Sequence, residues 1–282
     1  MLCTIENEFL RAAVNDHGAE LTQLTCKPDG SELLWRGDPA VWAGHSPLLF
    51  PIVGRLRNDR YTFRGKTYTL PKHGFARRED FLVTGKTASS LTLTYADWEK
   101  HFDAYPFRFD LSVTFSLEGK TLTVSHAVHN ADNQTLYFSL GAHPAIAARD
   151  AVLTFEKEET LSAMQFGSDM LIRDERTPFL DHSNTFRVTP HTFDHDAYLL
   201  EGFRSNYVDV RSSASSHTVR VTFGGAPFLG LWAKPGADYV CIEPWEGLDD
   251  DHRQSGDLTE KKGIVALPAG DTHTFAITIS VR

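Results

Sequence analysis

The chain has 282 residues, with 28 Lys and Arg against 37 Asp and Glu, so its formal net charge is −9. Its 19 Phe, 8 Tyr and 5 Trp can form a large core, which excludes a disordered chain, and three dispersed cysteines exclude a disulfide scaffold. No run approaches the roughly 20 apolar residues of a membrane span, and the acidic balance argues against a nucleic-acid partner. The first 20 residues lack the apolar segment of a signal peptide, which predicts a cytoplasmic protein.

The predicted elements, taken in chain order, are almost all β-strands. The clearest signal is the alternation of apolar and polar residues from Phe109 to Leu117, which is typical of a half-buried strand. Glu118 and Gly119 then turn the chain back, so residues 107–129 are predicted to form a hairpin. Other strands are predicted over 61–70 (a hairpin that turns at Gly65), 91–95, 151–155, 219–223 and 275–281.

Helical periodicity is scarce along the chain. No window longer than about 10 residues keeps apolar residues at the i, i+3, i+4 and i+7 positions of a helix face. No linker, repeat or low-complexity tract divides the sequence. We therefore predict an all-β fold, a large antiparallel β-sandwich that forms a single domain over residues 1–282.

The common motifs for nucleotide binding and for a serine nucleophile are missing from the sequence. It has no Gly-x-Gly-x-x-Gly fingerprint, no phosphate-binding loop and no Gly-x-Ser-x-Gly elbow. His191 and His195, with Asp194 and Asp196, could supply metal ligands, but no cysteine or second close histidine pair completes the set. We predict no cofactor and no metal. A metal-dependent lyase or isomerase centred on the two histidines is an alternative, and it predicts activity that a chelator abolishes.

Four segments combine polar side chains with unusual local sequence. They are residues 50–58 with Arg55, 71–77 with His73, 138–144 with His143, and 239–245 with Glu243. His143 follows an apolar strand, where loops carry functional residues, and Glu243 interrupts a strand as apolar as any in the chain. A buried carboxylate must be paired or functional. Taken singly, each residue also fits a structural role, and spacing alone does not show that they meet.

The same segments resemble the aldose 1-epimerase (galactose mutarotase) family, most nearly its bacterial branch. The matching motifs are Phe-Pro-Ile-Val-Gly-Arg, His-Gly-Phe-Ala-Arg, Ser-Leu-Gly-Ala-His-Pro, Leu-Gly-Leu-Trp and Ile-Glu-Pro-Trp, in that order. The resemblance covers essentially the whole chain. It implies a large twisted β-sandwich, in agreement with the strand pattern, and an isomerase that interconverts the α and β anomers of an aldohexose.

The resemblance also implies a role for each matched position. The histidine of Gly-Ala-His-Pro, His143, would be the general acid, and the glutamate of Ile-Glu-Pro-Trp, Glu243, the general base. Arg55 and His73 would hold sugar hydroxyls. Ring opening needs such a set, because one group must remove the proton of the C1 hydroxyl while another protonates the ring oxygen.

Two parts of the substrate site stay open at this point. The substrate-binding aspartate expected before an apolar strand could be Asp194 or Asp196, and we favour Asp196 because it directly precedes Ala-Tyr-Leu-Leu. Arg77, together with Lys72, could form a cationic pocket for a 6-phosphate. The expected partner is therefore a small sugar, an aldohexose or its 6-phosphate, with neither nucleic acid nor membrane. The alternatives are a hexose-6-phosphate 1-epimerase and a non-catalytic carbohydrate-binding protein on the same fold.

Overall fold

β-Strands and their connections account for nearly all of the fold. The computed structural model describes residues 1–282. Its strands are β1 Leu2–Glu6, β2 Leu10–Asn15, β3 Glu20–Cys26, β4 Ser31–Glu32, β5 Arg60–Phe63, β6 Lys66–Thr69, β7 Leu82–Lys86, β8 Ser90–Tyr95, β9 Phe109–Glu118, β10 Thr121–Asn130, β11 Leu136–Phe138, β12 Ala145–Ala147, β13 Val152–Phe166, β14 Ile172–Arg187, β15 Tyr198–Glu201, β16 Tyr207–Arg211, β17 Thr218–Thr222, β18 Phe228–Trp232, β19 Tyr239–Trp245, β20 Val265–Leu267 and β21 Thr272–Val281. Four short 3-10 helices cover Arg57–Asp59, Ala76–Arg78, Trp98–His101 and Leu258–Glu260. The predicted all-β class is confirmed.

The strands form one very large antiparallel sheet and three small ones. The large sheet has 13 strands in the order β12-β19-β18-β15-β13-β16-β17-β21-β10-β9-β8-β7, with β14 paired to β13 beside this path. A four-stranded sheet contains β1 to β4, and two-stranded sheets join β11 to β20 and β5 to β6. None of the helices could span a membrane.

The predicted hairpins are confirmed with nearly the predicted limits. In β9 the residues at every second position from Phe109 to Leu117 are buried, and β10 pairs with it in continuous register, with Val124 opposite Phe115. The shorter hairpin of β5 and β6 turns at Arg64 and Gly65, both with positive φ, as a tight two-residue turn requires. The strand predicted over 151–155 is longer than expected and extends to Phe166, because β14 and β16 both pair with it.

The core draws on the whole length of the chain. Its largest cluster contains 70 buried residues, from Cys3 in β1 to Val281 in β21. Within the large sheet, all seven residues of β19 are buried, and the strand is hydrogen-bonded to β12 on one side and β18 on the other. Glu243 lies in this strand, so its carboxyl group is carried by one of the most enclosed elements of the molecule.

Candidate active site

The structure brings His143 and Glu243 into direct contact. The N–H of Ala142 donates to the carbonyl of Pro244 at 3.1 Å. The N–H of Ile242 donates to the carbonyl of Pro144, the residue after His143, also at 3.1 Å. These two hydrogen bonds hold the chain on both sides of His143 against β19, opposite Glu243. Nε2 of His143 lies 3.0 Å from Oε2 of Glu243. The acid and the base suggested by the sequence therefore form one pair.

Two glycines make the space in which this pair sits. Gly141 forms isolated bridges with Leu49 and Trp245, and a Cβ at this glycine would lie 2.8 Å from the Trp245 ring. Gly230 of β18 lies opposite Glu243, where a Cβ would lie 3.2 Å from the Glu243 Cβ and 3.2 Å from the Trp245 ring. Since both contacts are tighter than ordinary packing allows, these positions admit only glycine without movement of the site.

Burial controls the ionisation of the pair. His143 is 8% exposed and Glu243 is 2% exposed. Burial raises the pKa of the Glu243 carboxyl well above its usual value, with Asp196 and Asp249 adding to the rise and Lys72 opposing it. Burial likewise lowers the pKa of His143. Both shifts favour the uncharged forms of the two side chains, a protonated carboxyl group and a neutral imidazole.

His73 is fixed beside the pair by reciprocal contacts with Gly54. The backbone N–H of His73 donates to the Gly54 carbonyl at 2.9 Å, and the backbone N–H of Gly54 donates to the ring Nδ1 of His73 at 3.1 Å. Burial, and then the nearby charge of Lys72, lower its pKa well below the usual value. With Nδ1 acting as an acceptor, the neutral ring carries its proton on Nε2. Its ring meets that of His143 edge to face at 6.2 Å between centroids, so His73 offers a fixed neutral donor near the pair.

The pair opens into a cavity of about 650 Å³, a size that suits a small ligand. Aromatic rings form one part of its wall. Trp42 stacks on His143 with centroids 5.4 Å apart, Trp232 meets the same ring edge to face at 6.0 Å, and Trp245 also lines the cavity. Lys72, Arg77 and Lys234 line it as well. Apolar faces together with a few polar groups are what a sugar ring and its hydroxyls require.

Most of the predicted site residues face this cavity. Those that line it are His73, Arg77, His143, Asp196 and Glu243. Arg55 is not among the lining residues: its Nε and Nη2 each donate to Asp59 at 3.0 Å. Substrate binding by Arg55 remains a prediction, and it requires this ion pair to open.

The two candidate aspartates both line the cavity but have different partners. Asp194 Oδ2 lies 2.9 Å from Nδ1 of His191, so its carboxylate is engaged. Asp196 has a positive φ of 81°, and its Oδ1 accepts only the N–H of Ala197, at 2.7 Å. Asp196 is thus the better placed of the two to accept a hydroxyl.

The geometry does not assemble three metal ligands around the predicted histidine pair. Groups with three potential ligand atoms within 4.8 Å of one another are Cys26, Asp29 and His217 in one place, and His143, Cys241 and Glu243 in another. Neither group contains His191 or His195. Cys241 lies beside the acid–base pair on an apolar strand, where nothing in the sequence distinguished it. Trp42 was missed too, since a single tryptophan in a loop carries no motif.

Fold and site together define a galactose mutarotase-like β-sandwich with a buried imidazole–carboxylate pair facing a cavity. The family model "Aldose 1-epimerase" matches residues 1–279. The chain belongs to the aldose 1-epimerase family.

Individual relatives agree with this assignment over their whole length. The plasmid and chromosomal LacX proteins of Lactococcus lactis subsp. lactis are each 30% identical to the chain over 298 residues, which covers 100% of it and 99% of each relative. A galactose mutarotase related enzyme from Lactobacillus acidophilus superposes with a TM-score of 0.94 at 32% identity, covering 100% of this chain and 97% of that one. A galactose mutarotase-like protein from Lactobacillus casei ATCC 334 gives 0.93 at 29% identity, with both chains fully covered.

Proposed function

We propose that this protein is an aldose 1-epimerase that interconverts the α and β anomers of an aldohexose, with His143 as general acid and Glu243 as general base. The observation that carries the proposal is the 3.0 Å contact between His143 Nε2 and Glu243 Oε2 at the cavity. In a hexopyranose the hydroxyl oxygen O1 and the ring oxygen O5 are bonded to the same carbon. Two groups that already touch can therefore each reach one of these oxygens.

Ring opening needs two proton transfers around C1. Glu243, as carboxylate, removes the proton of the O1 hydroxyl, and His143, as imidazolium, donates a proton to O5. The C1–O5 bond breaks, its electron pair stays on O5, and C1 becomes an aldehyde carbon. Rotation about the C1–C2 bond then presents the other face of the aldehyde.

Ring closure reverses the proton transfers. The O5 hydroxyl attacks C1, His143 takes back the O5 proton, and Glu243 returns a proton to O1. The open-chain sugar coexists with a neutral Glu243 and a neutral His143, the form that burial favours in the free enzyme. Burial thus lowers the free energy of the open-chain state relative to the charged pair.

The remaining cavity residues position the sugar. His73 presents its Nε2–H to a sugar oxygen, and Asp196 accepts a hydroxyl. Trp42 and Trp232 provide apolar surface for the ring next to His143. Fixed contacts of this kind supply the orientation part of the rate gain, since the reacting oxygens must meet both members of the pair at once.

The test is the anomer exchange rate measured by saturation-transfer NMR. The wild type should accelerate exchange of glucose or galactose, and His143→Ala should reduce the acceleration at least about 10²-fold. His126→Leu is the matched control, because His126 is also a buried histidine but lies away from the cavity. Near-normal exchange in the His143 variant would sink the assignment. Sugar binding without any acceleration by the wild type would instead favour a carbohydrate-binding protein.

A further inference from the structure

Three cations line the cavity without an acidic partner. Nζ of Lys72, the guanidinium of Arg77 and Nζ of Lys234 form no ion pair within 4.0 Å. The only side-chain hydrogen bond of Arg77 is a donation from Nη2 to the Lys72 carbonyl, at 3.0 Å. Among the other half-buried cations, Arg55, Arg173 and Arg220 each contact a carboxylate, whereas the side chain of Arg57 donates to the His252 carbonyl. The cavity therefore brings together three cations that have no carboxylate partner.

Among the three cations, Arg77 gives the strongest indication of a bound anion. Its side chain is half-buried, and desolvation lowers the pKa of its guanidinium. A partly desolvated guanidinium with no counter-ion costs free energy that an anion would offset. Glu20, whose charge also acts on Arg77, already accepts the N–H groups of His45 and Ser46. An external anion is the partner that this cation lacks.

The local backbone holds Lys72 and Arg77 together beside the acid–base pair. His73 and Gly74 between them have positive φ values of 64° and 66°, and the Arg77 hydrogen bond closes the loop. The charges of Lys72 and Arg77 both lower the pKa of His143, so they lie near the acid of the pair. His143 is the group that protonates O5 in the proposed mechanism.

Sugar chemistry limits where an anionic group can be. A phosphate on O1 would remove the free hydroxyl that Glu243 needs. C6 is bonded to C5, which carries O5, so a substituent at C6 extends from the side of the ring that faces His143. The charge of Arg77 acts on the pKa of His143 and not on that of Glu243, so Arg77 lies nearer to His143, whereas Lys72 acts on both.

We infer that the preferred substrate is an aldose that carries a phosphate at C6, and that Lys72 and Arg77 bind the phosphate while Lys234 adds positive charge at the cavity wall. This inference rests on the proposed function. A dianionic phosphate matches two or three cations better than a single carboxylate does, and a planar guanidinium suits its oxygens. Apart from Glu243, the acidic residues of the cavity are Asp194 and Asp196, which lie on a separate loop from Lys72 and Arg77. Because the chain carries a net charge of −9, these cations must attract the ligand locally.

The experiment compares kcat/KM for anomer exchange of glucose 6-phosphate, glucose and glucuronate. The wild type should prefer glucose 6-phosphate over glucose by at least about 10-fold. Arg77→Gln and Lys72→Met should each lower kcat/KM for glucose 6-phosphate by roughly 10- to 100-fold, the effect of losing a charge-assisted hydrogen bond, and by much less for glucose. Arg78→Gln is the matched control: Arg78 is the exposed neighbour and does not line the cavity, so the preference should persist.

The ratio of kcat/KM for glucose 6-phosphate to kcat/KM for glucose distinguishes loss of a phosphate site from a general disturbance of the loop. Equal kcat/KM for glucose and glucose 6-phosphate in the wild type, or a ratio unchanged in both variants, overturns the phosphate site. A preference for glucuronate over glucose 6-phosphate also overturns it and assigns the cations to a carboxylate. If no sugar is accelerated, the proposed function fails, and calorimetry with glucose 6-phosphate still decides the site. If the wild type binds glucose 6-phosphate and Arg77→Gln weakens this binding, the phosphate site is supported. If the wild type does not bind glucose 6-phosphate, the phosphate site is overturned.

Discussion

Two buried pairs of ionisable groups lie in or beside the large sheet, and they differ in how completely their hydrogen-bonding capacity is used. In the first, Nζ of Lys261 lies 2.6 Å from Oδ1 of Asp250, and both side chains are 4% exposed. Lys261 also donates to the Leu248 carbonyl at 2.8 Å, and the second oxygen of Asp250 accepts the N–H of Arg57 at 2.9 Å. This pair is closed on all sides by the protein.

The second pair, His143 and Glu243, is equally enclosed but incompletely partnered. The 3.0 Å contact is the only one that either side chain makes with an oppositely titrating group, Nδ1 of His143 has no hydrogen-bond partner, and both residues line the cavity. Burial is therefore not what distinguishes a reactive pair from a structural one. The difference is that the second pair has unused hydrogen-bonding capacity and lies beside a space large enough for a ligand.

The largest expected effect follows from changing the reactive pair. Glu243→Gln keeps the shape of the side chain and removes the base, so anomer exchange should fall by about 10²- to 10⁴-fold, roughly 3–5 kcal/mol in the barrier. The free energy of unfolding should stay the same or rise, because an amide has no charged form to desolvate. Saturation-transfer NMR and urea unfolding measure the two quantities. Full activity, or a loss of activity that merely follows a loss of folded protein, would contradict the comparison.

The structural pair should respond in the opposite way. Lys261→Met leaves the Asp250 carboxylate buried without its cation and should lower the free energy of unfolding by about 3–5 kcal/mol. The matched control is Lys262→Met, because the adjacent lysine pairs with Glu201 at the surface, with side chains 48% and 35% exposed. That change should cost about 1 kcal/mol or less. Urea unfolding of the two variants at neutral pH provides the measurement, and equal effects would contradict the assignment.

The sequence predicted the elements of this fold better than it predicted the contacts between them. Period-two alternation identified β9, β10 and β21, because a half-buried strand imposes that pattern locally. The contact of His143 with Glu243 depends on the pairing of segments 100 residues apart along the chain. No local pattern encodes that pairing. It was reached through family motifs, and backbone hydrogen bonds on both sides of His143 supply its physical basis.

The direction of a side chain was the hardest property to predict. Arg55 follows the Pro-Ile-Val-Gly segment as the motif requires, yet its guanidinium contacts Asp59 four residues later. Asn58 and Asp59 both have positive φ, and this tight turn carries the Asp59 carboxylate back to Arg55. Trp42, in contrast, lies on a loop with no motif and stacks on His143 only because the fold brings the two together.

A buried histidine outside the cavity gives the smallest of these effects and separates stability from catalysis at low pH. Burial lowers the pKa of His126 to about 4, against 6.5 for an exposed imidazole, and its Nδ1 lies 3.3 Å from the Phe275 carbonyl. Since the folded state resists protonation, stability is complete above pH 6.5 and is lost as the pH falls towards 4. A folded-state pKa of about 4 against 6.5 in the unfolded chain corresponds to about 3 kcal/mol of free energy of unfolding.

His126→Leu should remove most of this acid-dependent loss and leave anomer exchange at pH 7 unchanged, because the residue does not contact the cavity. The measurement is the free energy of unfolding in urea at pH 7 and pH 4 for both proteins. In the variant, any fall in exchange rate at pH values where the protein stays folded then belongs to the ionisable groups of the cavity, among them His73, His143 and Glu243. If the wild type and the variant lose the same stability between pH 7 and pH 4, His126 is not the group that titrates, and the acid sensitivity must come from other residues.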